Sequence, residues 1–153
     1  MNDYESFLDR KRQLGGDHGF EPTFMPGIMY PFQAHLTEWA TIKGRGAIFS
    51  DCGTGKALMS LVWGQNVVER TNKPVLIATP LAVSQQLVGE GDKFGIKVVR
   101  SRDGDMPDDA CIVTTNYERL HNFDSSDFAG MVLDESSCIK SFKGKRKGEI
   151  TEF

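Results

Sequence analysis

No apolar stretch in this chain approaches the roughly 18 residues that a membrane-spanning helix needs, and the opening "MNDYESFLDRKRQ" is too charged for a secretory signal. Cysteine is scarce. Cys52, Cys111 and Cys138 are odd in number, far apart and in no CxxC pair. That argues against a disulfide framework and a zinc site, and it fits a reducing, cytoplasmic compartment. Charge of one sign is missing as well: with a net charge of -3 the chain is not polycationic, so any contact with nucleic acid must come from a local patch or a partner. There is no internal repeat and no low-complexity segment.

What is present is the composition of an ordinary globular domain, 39% apolar and 25% charged. At 153 residues the chain suffices for one core and is too short for two generous ones. Residues 1–20, with six charged side chains followed by "GGDHG", read as a short polar helix and a flexible turn. "RDGDMPDD" (102–109) reads as a solvated acidic loop and "KSFKGKRKGE" (140–149) as a basic tail, solvated or in contact with a phosphate backbone.

Between these ends the pattern alternates. "PFQAHLTEWATIKG" has proline in its first turn, Phe32, Leu36 and Trp39 at helical spacing, and glycine at its end. Short apolar runs at 47–49, 75–78, 96–99, 111–113 and 131–133 predict strands. Helix-length segments follow the first two, and in the second of these Val83, Leu87 and Phe94 share one face. Strand alternating with helix predicts an α/β fold, a doubly wound, mainly parallel sheet flanked by helices, whose ligands sit beyond the carboxyl ends of the strands.

The stretch "FSDCGTGKALMS" follows the first of these runs. A strand, a turn whose backbone N–H groups converge on an anion, a lysine behind it and a helix N-terminus together make a phosphate cradle. Gly53 and Gly55 let the backbone of Asp51, Cys52 and Thr54 approach phosphates, and Lys56 can reach the outer oxygens. Against the pattern G-x-x-x-x-G-K-[ST], Ser50 takes the first position, where a small residue suffices. Ala57 takes the last, where a hydroxyl normally ligates Mg²⁺.

"MVLDESS" sets Asp134 and Glu135 directly after an apolar strand, where Asp134 can hold Mg²⁺ through water and Glu135 can polarise an attacking water. Upstream, the amide of Gln33 can pair with adenine, with Phe32 or Tyr30 beside it as a stacking surface.

From about Phe20 to Lys143 these pieces resemble, in order, the motifs of the first RecA-like lobe of superfamily-two helicases and translocases, nearest the Swi/Snf-type branch and phage-encoded DEAD/DEAH-like helicases. "YPFQ" resembles the Q motif, "SDCGTGKA" motif I, "TPLAVSQQ" motif Ia, "TTNYERL" motif Ib and "LDESSCIKS" motif II. The resemblance implies a lobe over 21–140 between the polar segment 1–20 and the tail 141–153. It implies ATP and Mg²⁺ as cofactors, Gln33 and Phe32 at adenine, and residues 51–57 around the phosphates, with Lys56, Asp134 and Glu135 as catalytic groups. Thr79, Pro80, Thr115, Asn116 and Tyr117 match segments that in the family face the nucleic-acid backbone, DNA before RNA. The cell implied is a phage-infected or lysogenic bacterium.

Two departures from the family pattern bear on turnover. Ala57 removes a metal ligand, and the sequence ends at Phe153, before motif III and the second lobe that supplies an arginine finger. Such fingers contribute about 10³ to 10⁵ in rate. The expectation is an ATP-binding first lobe of a phage-type DNA helicase or translocase that hydrolyses ATP only when a second lobe completes it. The alternative is a non-catalytic binding module for nucleic acid or a protein partner. A kinase or GTPase reading lacks any NKxD-type sequence.

Overall fold

Val75, Leu76, Ile77 and Ala78 have no exposed surface, a run covered on both faces as the middle of a parallel sheet requires. They belong to strand β1 (Val75–Thr79). The computed structural model describes residues 16–135. The expected polar helix of the first residues, Cys138 and the basic tail lie outside them.

Three further strands complete the sheet: β2 (Val98–Arg100), β3 (Ile112–Asn116) and β4 (Gly130–Leu133). The order is β2-β3-β1-β4, and every pairing is parallel, with Val75 opposite Ile112 on one side and Gly130 on the other. Successive side chains alternate between faces. Val75, Ile77, Val98 and Ile112 therefore join one core cluster, and Leu76, Ala78 and Val113 another.

The first cluster is closed by three helices, α1 (Pro31–Lys43), α2 (Lys56–Thr71) and α3 (Leu81–Phe94). Helix α2 buries Leu58, Met59, Leu61, Val62, Val67 and Val68, which is why its sequence is apolar nearly all round. Each fully buried Leu, Val or Ile stabilises by about 1.5–3 kcal/mol. The second cluster is closed by Leu120 and Phe123, from and just after a 3₁₀ turn at Tyr117–Asn122. The α/β reading, a mainly parallel sheet flanked by helices, holds.

Two local expectations do not. The run 47–49 forms no strand: Phe49 is 93% exposed, and β4 pairs with β1 alone. Three apolar residues can form a strand, as β2 does, only where a sheet edge lies beside them, and the run 47–49 pairs with none of the described strands. Nor is "GGDHG" a free turn. The N–H groups of His18, Gly19 and Phe20 donate to the carbonyls of Lys43, Ile42 and Thr41 at 3.0–3.2 Å, satisfying the last turn of α1. A Cβ on Gly19 would lie 1.8 Å from the Thr41 carbonyl oxygen, so only glycine fits there.

Asn66, fully buried in α2, holds the incoming chain on the core. Its Oδ1 accepts from the N–H groups of Thr23 and Phe24, and its Nδ2 donates to the carbonyls of Phe24 and Val62, all at 2.8 Å. This fixes the segment that leads into α1, whose Gln33 reaches the glycine loop before α2.

Candidate nucleotide site

The loop before α2 is closed by its own side chains. Thr54 Oγ1 lies 3.0 Å from Ser50 Oγ and 2.8 Å from the Asp51 carbonyl, and Lys56 Nζ donates to the Ser50 carbonyl at 3.0 Å. Gly53 and Gly55 take left-handed φ values of 80° and 78°, the conformations that turn a loop into a helix N-terminus at little steric cost. Lys56 is the first residue of the 16-residue α2, so the helix dipole and free N–H groups of its first turn face the same space as the ammonium.

Gln33 is buried and both ends of its amide are engaged. Its Oε1 accepts from the Tyr30 N–H at 2.9 Å and its Nε2 donates to the Thr54 carbonyl at 2.8 Å. The first bond is half of a capping box at the start of α1, and the second locks α1 to the loop tip. Tyr30 and Phe32 are exposed beside it, their rings stacked with centroids 6.1 Å apart. The aromatic surface is open to a planar ligand, while the glutamine serves the loop. Cys52 is exposed at the tip of the turn, and Cys111 is buried. Burial pushes the Cys111 thiol up, Lys97 partly opposing.

Asp134 directly follows β4. Burial first, and then the neighbouring Glu135, raise its carboxyl above the usual aspartate range, with Lys56 and a backbone hydrogen bond from Glu135 opposing. Lys56 and Asp134 therefore sit within electrostatic reach. Among the described residues no group of three or more His, Cys, Asp or Glu converges on a point. The donor set fits a metal that arrives with phosphates and meets the Asp134 carboxylate. Ala57, packed against the core, offers it nothing.

The other candidates gather at the carboxyl ends of the two inner strands, β1 and β3, with different exposures. Thr79 and Thr115 are buried, Thr79 Oγ1 donating to the Pro80 carbonyl and Thr115 Oγ1 having no partner among the described residues. Asn116 is 6% exposed, and Pro80 and Tyr117 are half-buried. The Tyr117 hydroxyl donates to the Asp134 carbonyl. Two features escaped the sequence reading: Ser50 as the group that closes the loop, for which the Ser-x-x-x-Thr spacing is a signal, and the Tyr117–Asp134 link, for which there is none.

A parallel α/β sheet with a glycine loop at the head of one helix and an acidic pair at the end of a neighbouring strand defines a RecA-like lobe. A solved structure similar to it is the Sulfolobus solfataricus SWI2/SNF2 ATPase core in complex with dsDNA, with a TM-score of 0.69 and 21% identity over 88% of this chain. The chain spans 31% of that protein's length. No family model and no curated protein matches the chain. Among the described residues no helix is long and apolar enough to cross a membrane.

Proposed function

We propose that the chain is the nucleotide-binding first lobe of a helicase- or translocase-type ATPase that acts on nucleic acid, duplex DNA before RNA. The observation that carries this reading is Lys56 at the head of α2, directly behind the left-handed Gly53–Gly55 turn, in a parallel sheet whose strand β4 ends on Asp134. In this reading the loop amides and Lys56 hold the phosphates, Tyr30 and Phe32 receive the base, and Gln33 keeps the loop in shape. Asp134 holds Mg²⁺ through water, and Glu135 orients the attacking water. The duplex is carried over from the SWI2/SNF2 neighbour. The phage-type and Swi/Snf-type branches rest on the sequence motifs.

Hydrolysis needs charge stabilisation from all sides, and a second lobe supplies the missing side. A second reading, a binding module without turnover, is favoured by one observation: Ala57 presents a methyl group where the metal expects a hydroxyl.

Calorimetric titration with ATP, with and without Mg²⁺, tests the proposal. Lys56→Ala is expected to abolish binding, and Ala57→Thr to strengthen it in Mg²⁺ only. Binding by the parent chain that Ala57→Thr leaves unchanged in Mg²⁺ favours the second reading. No binding by any folded variant overturns the nucleotide site.

A further inference from the structure

Three observations meet at the acidic turn. Among the described residues Asp134 is the last one tied to the sheet there, its N–H donating to the Ala78 carbonyl of β1 at 2.9 Å. Glu135, the next residue, has φ of 53°, a left-handed conformation that is uncommon for a residue with a long side chain and persists only where its surroundings hold it. Between the two lies the Asp134 carbonyl, which receives the Tyr117 hydroxyl.

Tyr117 is half-buried at the edge of the second core cluster and directly follows β3. Strand β1 separates β3 from β4, so the phenol passes over the carboxyl end of β1 to reach the turn. Its ring packs against the second core cluster and its hydroxyl meets the turn. This is the geometry of a strut: a rigid side chain with two rotatable bonds fixing one backbone carbonyl from outside the sheet ladder.

We propose that Tyr117 is a positioning residue for the acidic pair, holding the Asp134–Glu135 peptide and with it the direction in which the Asp134 side chain leaves the carboxyl end of β4. The inference rests on the nucleotide reading above. It moves Tyr117 from the polymer-facing group to the metal-facing one, acting through Asp134 and not by touching ligand. Without the hydroxyl, the left-handed Glu135 has one restraint fewer and the turn relaxes. The affinity that depends on a metal between phosphate and Asp134 then falls, and the affinity that comes from the loop amides and Lys56 does not.

The test is the ratio of ATP dissociation constants without and with Mg²⁺, measured by calorimetry on the chain and, to enlarge the signal, on Ala57→Thr. The expected result is that Tyr117→Phe lowers this ratio at least threefold in the Ala57→Thr background. Metal-free affinity stays within twofold and the melting temperature stays close to that of the parent. A Tyr117→Phe ratio equal to its parent's overturns the inference, and so does an equal loss of metal-free and metal-dependent affinity, which is the mark of a merely structural role. Absence of nucleotide binding in the parent with and without Mg²⁺ overturns the nucleotide reading itself. Amide exchange at Asp134 and Glu135 gives an independent readout. It is expected to be faster in Tyr117→Phe while β1 and β3 stay protected, and unchanged exchange at the turn counts against the strut whatever the calorimetry shows.

Discussion

Gln33 Nε2 donates to the carbonyl of Thr54 at 2.8 Å, so the first turn of one helix sets the shape of the loop that opens the next. The two residues are 21 positions apart, and the bond forms inside a protected site where an unmade partner costs about 1–3 kcal/mol. Gly55 is part of the same relationship: a Cβ there would lie 2.3 Å from that Nε2, at φ of 78°. Gly55→Ala is therefore expected to break the bond and weaken ATP binding at least tenfold. Gln33→Ala is expected to lower stability by about 1–3 kcal/mol. Urea unfolding and nucleotide titration of the two variants check both effects.

Asn66→Ala removes four hydrogen bonds at once and leaves the N–H groups of Thr23 and Phe24 and a carbonyl without their partner. The expected loss is about 3 kcal/mol or more, since each buried orphan costs about 1–3 kcal/mol. Chemical denaturation measures it, and a loss under 1 kcal/mol would mean that water replaces the amide.

Gly19→Ala is expected to detach the chain from the end of α1, because the added methyl overlaps the Thr41 carbonyl. Faster amide exchange at His18 and Phe20, with a lower melting temperature, is the signature. An unchanged melting point would show that this cap adds nothing to the fold.

Asp134 ties stability to pH. Its folded pKa lies above the ordinary aspartate value of about 3.9, raised first by burial and then by Glu135, so the folded state holds the proton more tightly than the unfolded one. Its contribution is most favourable below the unfolded value and is lost as pH rises through the raised folded value. Asp134→Asn is thus expected to raise the melting temperature at pH 7, with the gain shrinking as pH falls through the raised folded value toward about 4 and gone below it, while Mg²⁺-dependent nucleotide binding drops. A variant less stable than its parent at pH 7 would reverse the sign of this argument.

The strands at 75–78, 111–113 and 131–133 and all three helices were legible in the sequence, because a continuous apolar run between turn residues has few stable fates other than a covered parallel strand. Lys56 with its glycines was legible for a similar reason: phosphate contact by backbone amides demands those residue types within a few positions of one another. Residues 96–99 shifted to 98–100, within the usual uncertainty of element ends. The run 47–49 failed as a strand because pairing depends on a neighbour, and nothing local to three apolar residues says whether a sheet edge lies within reach.

What the sequence determined by itself is the set of local commitments: alternating strands and helices, the glycine turn, the lysine, the acidic pair and the missing hydroxyl at Ala57. Each follows from side-chain chemistry within a few residues. Only the tertiary structure decided that Gln33 serves the loop, that Asn66 receives the segment at Thr23 and Phe24, that Thr79 and Thr115 are buried, and that Tyr117 reaches Asp134. These relationships join positions 17 to 43 residues apart. No periodicity encodes them, because they arise from which strands lie side by side once the whole sheet has formed.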